Sequence, residues 1–136
     1  MKTSAGLVII FDKKILLVHP TNAPWYGTYS IPKGEINNEG ESLLDAAIRE
    51  TKEEIGVEFK KEGFPKDILP EFIEYRDKNN KLYKTVWYFL LSLSKPLDVT
   101  KIKLQQEEVD WVGFLDKDEA EKRIFDRFKT ILKYLN

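Results

Sequence analysis

The segment from Ser42 to Gly56 constrains this chain more than any other. Ser42 followed three residues later by Asp45 is a helix-capping pattern, Leu44, Ala47, Ile48, Thr51 and Ile55 recur at helical spacing, and Gly56 supplies a stop. A helix is therefore expected over about Ser42 to Ile55. At about 100° per residue the apolar positions share one side, and Arg49, Glu50, Glu53 and Glu54 gather on the other. A helix with one such apolar stripe has to be covered by another layer of structure.

The flanking sequence supplies strands for that layer. Ala5 to Phe11 and Ile15 to His19 are apolar runs joined by the polar turn Asp12-Lys13-Lys14, which predicts a hairpin. Pro20 to Pro32 reads as a loop that carries Trp25, Tyr26 and Tyr29. Ile68 to Arg76 and Leu82 to Leu93 flank the turn signal Asp77-Lys78-Asn79-Asn80-Lys81, and Val109 to Leu115 predicts a further strand. A second helix is expected from Asp116, with Glu119 three residues on and one stripe of Ala120, Ile124, Phe128, Ile131, Leu132 and Leu135. The order β-β-helix-β-β-β-helix predicts an α/β sandwich with a mixed sheet. Only Leu93 to Leu104 is linker-like, so one domain over residues 1–136 is expected.

Composition narrows the function. With 22 basic against 23 acidic residues, the chain lacks the basic surplus of an electrostatic nucleic-acid or membrane binder; any nucleic acid must be held by a site. There is no cysteine, so zinc-thiolate sites and thiol nucleophiles are excluded, and metal chemistry must use oxygen and nitrogen ligands. Met1 to Ile10 has neither the length of a membrane span nor a small-residue cleavage pattern, which makes the cytoplasm the expected compartment and a membrane partner unexpected.

The polar face of the first helix is electrostatically uncomfortable. Glu50 stands i,i+3 from Glu53 and i,i+4 from Glu54, each like-charge pair costing about 0.3 kcal/mol on a solvated helix. A solvated face relieved by Arg49 and Lys52 is the ordinary outcome for such a cluster. Here the loop Pro32-Lys33-Gly34-Glu35 lies just upstream, with a lysine for phosphate and backbone carbonyls for a cation. Clustered carboxylates on a rigid helix suit a hard divalent ion such as Mg²⁺ or Mn²⁺.

Gly34, Glu41, Arg49-Glu50-Thr51, Glu53-Glu54, Gly56 and Val57 resemble the Nudix box, over about residues 34–57. Two positions depart from it: six residues rather than five separate Gly34 from Glu41, and Thr51 stands where an aliphatic residue is usual. Ser4-Ala5-Gly6, Leu16 to Pro20, Ile31 to Gly34, Thr85 to Phe89 and Val109 to Val112 resemble the dinucleoside polyphosphate hydrolase branch of that family.

The resemblance implies a Nudix-type α/β/α sandwich and metal-dependent attack of water on a pyrophosphate linkage in a nucleoside diphosphate derivative. It implies metal ligation by Glu50, Glu53 and Glu54 with the Gly34 loop, a general base that is one of these or a loop carboxylate farther on, with Glu50 the helix candidate, and catalytic roles for Glu50, Glu53 and Arg49, the last paired with Glu41. Lys33 is a candidate phosphate contact, Lys84 and His19 are candidate substrate contacts, and of the aromatic rings Tyr83, Trp87 and Tyr29 that could stack on a base Tyr83 is the choice. Glu107 and Glu108 stand where many relatives carry a further glutamate, and the register leaves both open. The substrate is expected to be a nucleotide polyphosphate, with dinucleoside polyphosphates the first choice. Removal of pyrophosphate from an RNA 5′ end, nucleoside triphosphate pyrophosphatase activity, and a catalytically silent nucleotide-binding module are the alternatives, and the oligomeric state is open.

Overall fold

A computed structural model describes residues 1–36 and 39–136. Six strands are present among them: β1 (Lys2–Phe11), β2 (Lys14–Pro20), β3 (Lys33–Glu35), β4 (Glu71–Arg76), β5 (Leu82–Ser92) and β6 (Val109–Leu115). Two α-helices, α1 (Leu43–Ile55) and α2 (Lys117–Arg123), and the 3₁₀ segments Lys61–Gly63, Val99–Lys101 and Asp126–Leu135 complete the described structure. The sheet order is β4-β5-β1-β2-β6, with β3 also paired to β1. β1 and β5 run parallel, and the other pairings are antiparallel, so the sheet is mixed as expected.

Local chemistry sets the turns. Asp12 and Lys13 both adopt positive φ, 52° and 60°, and Ile10 pairs with Ile15 and Phe11 with Lys14, the geometry of a two-residue hairpin with the twist the strands need. Between β4 and β5, Asp77 Oδ1 accepts from the backbone of Asn79 and Lys81, closing that turn. Strand β4 starts at Glu71 rather than Ile68, directly after Pro70, whose ring cannot donate to a ladder.

The unbroken apolar runs of β1 and β2 reflect a sheet buried on both faces. Ala5, Leu7, Ile9, Leu16, Val18, Phe89 and Leu91 face α1, where they pack with Ala46, Ala47 and Ile55. Val8, Ile15, Leu17, Val86 and Tyr88 point the other way, against Ala120, Ile124, Phe128, Ile131 and Leu132. The result is an α/β/α sandwich. No helix among the described residues is long and apolar enough to cross a membrane.

Besides the start of β4, two expected elements are corrected. The second helix is not continuous to Leu135: α2 stops at Arg123, and Ile124 and Phe125 are extended, with ψ of 144° and 132°. The backbone there pairs with the aromatic loop instead. Arg123 O accepts from Thr28 N and Tyr29 N, and Phe125 N donates to Tyr29 O. The apolar stripe is still buried, carried on by the 3₁₀ segment. The second correction is β3, expected as loop. The two ends of β1 share one edge between partners: Ile10 and Phe11 pair with β2, while Ser4, Ala5 and Gly6 pair with Glu35, Gly34 and Lys33.

Candidate active site

Helix α1 is fixed at both ends before it presents anything. Ser42 Oγ accepts from Asp45 N at 3.1 Å, and Gly56 closes the helix at φ 82° with its N–H on Lys52 O. A Cβ on Gly56 would collide with the Lys103 backbone, because residues 103–105 dock on the helix end: Lys103 N donates to Ile55 O and Gln105 N to Glu54 O. With Ala46, Ala47, Thr51 and Ile55 buried beneath, the opposite face carries the charged residues outward.

On that face Arg49 organises the carboxylates. It holds Glu41 bidentately, and its Nη1 donates to Glu50 Oε1 at 2.8 Å and to Glu53 Oε1 at 3.1 Å. These bonds, Glu41's first, hold the guanidinium well above its ordinary pKa. Burial pushes the Glu50 carboxyl up, against the hydrogen bond from Arg49.

Glu50, Glu53 and Glu54 line one cleft of about 360 Å³ with Lys33, Gly34 and Lys84, at the end of the sheet where β1 and β5 begin. Ser4, Glu35, Gln105 and Glu108 complete the wall. Gly34 lets Glu50 approach closely: a Cβ there would run into the Glu50 carboxylate and displace it. Burial raises the Glu54 carboxyl to about 7, offset in part by the charge and backbone of Lys33, while Glu108 and Glu50 push it further up. Burial lowers the Lys33 ammonium, with Glu54 and Glu108 acting in the opposite sense.

Among the described residues no three carboxylate or imidazole groups already converge as a cation cage. Arg49 Nη1 draws Glu50 and Glu53 toward itself, so a cation would compete with the guanidinium for those oxygens. The surroundings nonetheless fit a hard divalent ion. Glu54 Oε1 is buried with no hydrogen-bond partner, the available donors are carboxylate oxygens, and Gly34 leaves the room a side chain would fill.

The NUDIX domain family model matches residues 1–134. The chain belongs to the Nudix hydrolase family. It is 30% identical over 125 residues to an RNA pyrophosphohydrolase of Ruthia magnifica, covering 83% of this chain and 68% of that one. It is 25% identical over 132 residues to Nudix hydrolase 2 of Arabidopsis thaliana, covering 96% of this chain and spanning 44% of that protein's length. Among solved structures, a C. elegans Ap4A hydrolase binary complex superposes with a TM-score of 0.72 at 30% identity, over 98% of this chain and 93% of that one.

Beyond the Nudix box, the structure sorts the remaining candidates. Lys33 and Lys84 are in the cleft. Tyr83, 44% exposed, lines an adjoining cavity of about 730 Å³ with Tyr75, Lys2 and Lys81, and Lys84 borders both spaces. Of the pair left open by register, Glu108 lines the cleft. Trp87 packs on Phe72, and Tyr29 belongs to the core. His19 does not line the cleft; it is 1% exposed and both ring nitrogens are spent on protein partners, so a direct substrate contact is not what its geometry offers. The sequence marks Ser4 only as part of the Ser4-Ala5-Gly6 resemblance and Gln105 not at all, yet both line the cleft. Ser4 belongs to β1, whose pairing with β3 brings it to the cleft, and Gln105 is brought there by its bond to the end of α1.

Proposed function

We propose that this Nudix domain is a divalent-metal-dependent hydrolase of a pyrophosphate linkage in a nucleotide polyphosphate, with dinucleoside polyphosphates as the substrate class. The observation that carries this is the shared cleft: three glutamates from one helix face two lysines across a space with the volume of about 360 Å³. Acidic and basic walls together suit a metal–phosphate ligand better than either a free cation or a free anion.

In this reading Glu50, Glu53 and Glu54, with the Gly34 loop, hold Mg²⁺ or Mn²⁺. When bound, the ion neutralises phosphate oxygens and makes water a better nucleophile. Lys33 and Lys84 bind the phosphate chain, and Lys84 leads it toward the neighbouring cavity, where Tyr83 offers a ring for a base to stack on. Glu50 accepts the proton from the attacking water, and Arg49 positions Glu50 while Glu41 anchors Arg49.

RNA 5′-pyrophosphate removal is the second reading, favoured by the lysines Lys2, Lys81 and Lys84 around the adjoining cavity and by the 30% identity to an RNA pyrophosphohydrolase. A panel of dinucleoside polyphosphates, nucleoside triphosphates, ADP-ribose and triphosphorylated RNA, with Mg²⁺ and with chelator, tests the proposal. Metal-dependent turnover that favours dinucleoside polyphosphates is the expected result. Preference for RNA supports the second reading, and nucleotide binding without turnover anywhere on the panel points to the silent module.

A further inference from the structure

His19 is the chain's only histidine, and the hydrolase reading gives it no chemistry. It is buried near the end of β2. Its Nδ1 lies 2.5 Å from Asp110 Oδ1, and its Nε2 lies 3.0 Å from the carbonyl oxygens of both Ala23 and Pro24. Carbonyl oxygens only accept, so Nε2 carries a proton and donates to them. Trp25 stacks flat on the ring, centroids 3.8 Å and planes 4° apart, and Tyr29 meets it edge-on at 5.0 Å. One side chain thus ties down the loop after β2 and, through Asp110, the start of β6.

The start of β6 is irregular at that point. His19 stands opposite Trp111 and Pro20 opposite Val109, which leaves Asp110 as the extra residue of a bulge. A bulge re-aims a side chain, and here it delivers the Asp110 carboxylate to the imidazole. Just beyond, Thr21 N donates to Glu108 O at 3.1 Å and Thr21 Oγ1 to Gln106 O at 2.7 Å. On the other side, Gln105 N is bonded to Glu54 O, and Glu108 N and Val109 N both donate to Gln105 O. The turn that puts Gln105 and Glu108 in the cleft wall is therefore clamped between the end of α1 and the loop His19 locks.

We propose that His19 is a positioning residue: by joining Asp110 to the carbonyls of Ala23 and Pro24 it fixes the bulged start of β6 and thereby sets Glu108 in the cleft. The kinetic consequence rests on the hydrolase reading; the structural one does not.

The test is a mutant cycle of His19→Asn and Glu108→Gln, assayed with Mg²⁺ on the best substrate of the panel and paired with amide hydrogen exchange on the same proteins. In the wild-type background His19→Asn lowers kcat about tenfold or more with a smaller change in KM, and on top of Glu108→Gln it adds less than about twofold. The amides of Thr21, Glu108 and Val109 exchange about tenfold or more faster in His19→Asn, while those of α1 are unchanged. Asp110→Asn keeps the ring and its stacking; it shows the same pattern in weaker form, and it decides the question if His19→Asn fails to fold. Equal losses in the two backgrounds, or unaltered exchange at those amides, overturn the proposal. A wild type inert toward every substrate defeats the hydrolase reading instead, and the exchange result then decides positioning on its own.

Discussion

Arg49 grips Glu41 through two parallel hydrogen bonds, Nε to Oε2 at 2.8 Å and Nη2 to Oε1 at 2.9 Å. Lysine carries the charge without the fork, so Arg49→Lys is not a conservative change here. It is expected to lower kcat/KM about 10- to 100-fold and stability by about 1 kcal/mol, because Glu41 is only 14% exposed and its bidentate partner is withdrawn. Steady-state kinetics with Mg²⁺ and a thermal melt check both numbers. An Arg49→Lys enzyme with wild-type kinetics would show that the fork does not organise the site.

Gly34 is tested by a single methyl group. In Gly34→Ala the new Cβ meets the Glu50 side chain, which swings away from its place beside Arg49 and costs stability no more than about 1 kcal/mol. Metal-dependent turnover falls with it. Gly63→Ala, where a Cβ meets nothing within 4 Å, is the control and stays within about 0.5 kcal/mol of wild type in denaturant unfolding.

Glu54 makes the metal-free protein pH-sensitive. Its folded-state pKa, about 7, lies above the ordinary value of 4.5, so the folded chain binds the proton more tightly than the unfolded one. The stability this contributes is complete below pH 4.5 and is lost as pH rises through about 7, an effect of about 3 kcal/mol. In chelator, Glu54→Gln flattens that decline and is the more stable protein at pH 8, and Mg²⁺ stabilises the wild type there. Melting curves across pH, with and without the ion, measure it; a parallel decline in Glu54→Gln would place the titrating group elsewhere.

Thr51 departs from the family pattern, and the fold gives the departure a consequence. The side chain is fully buried under α1, and its Oγ1 has no hydrogen-bond partner. Replacing an unsatisfied buried hydroxyl by a methyl of the same shape removes a desolvation penalty, so Thr51→Val is expected to stabilise by about 1 kcal/mol. A rise in denaturation midpoint without change in slope is the sign to look for; a fall would mean that the hydroxyl has found a partner.

Elements with a strong period or a strong cap were legible in the sequence. Helix α1 falls within a residue of its expected start because Ser42 and Gly56 perform their capping chemistry, and β6 runs over the expected Val109–Leu115. What misled was a stripe that periodicity alone could not interrupt. Ala120, Ile124 and Phe128 are all buried as a helix would bury them, yet Ile124 is extended, because the backbone bonds offered by Thr28 and Tyr29 compete with the helical ones. No local pattern encodes that pairing between residues almost a hundred positions apart. The same reason hid the place in the cleft of Ser4 and Gln105, which reach it by β1–β3 pairing and by the bond of Gln105 to the end of α1. His19 was visible as a lone histidine, but its partner Asp110 is 91 residues away, so burial and role were not.

Mn²⁺ binding followed by electron paramagnetic resonance, on the wild type beside Glu53→Gln, tests the central claim most directly. Bound Mn²⁺ loses its free-ion signal, and the wild type is expected to hold the ion with an affinity at least about tenfold greater than Glu53→Gln, both proteins being folded. A wild type that leaves the free-ion signal unchanged, or a Glu53→Gln protein that binds as tightly, contradicts a metal site on this helix face.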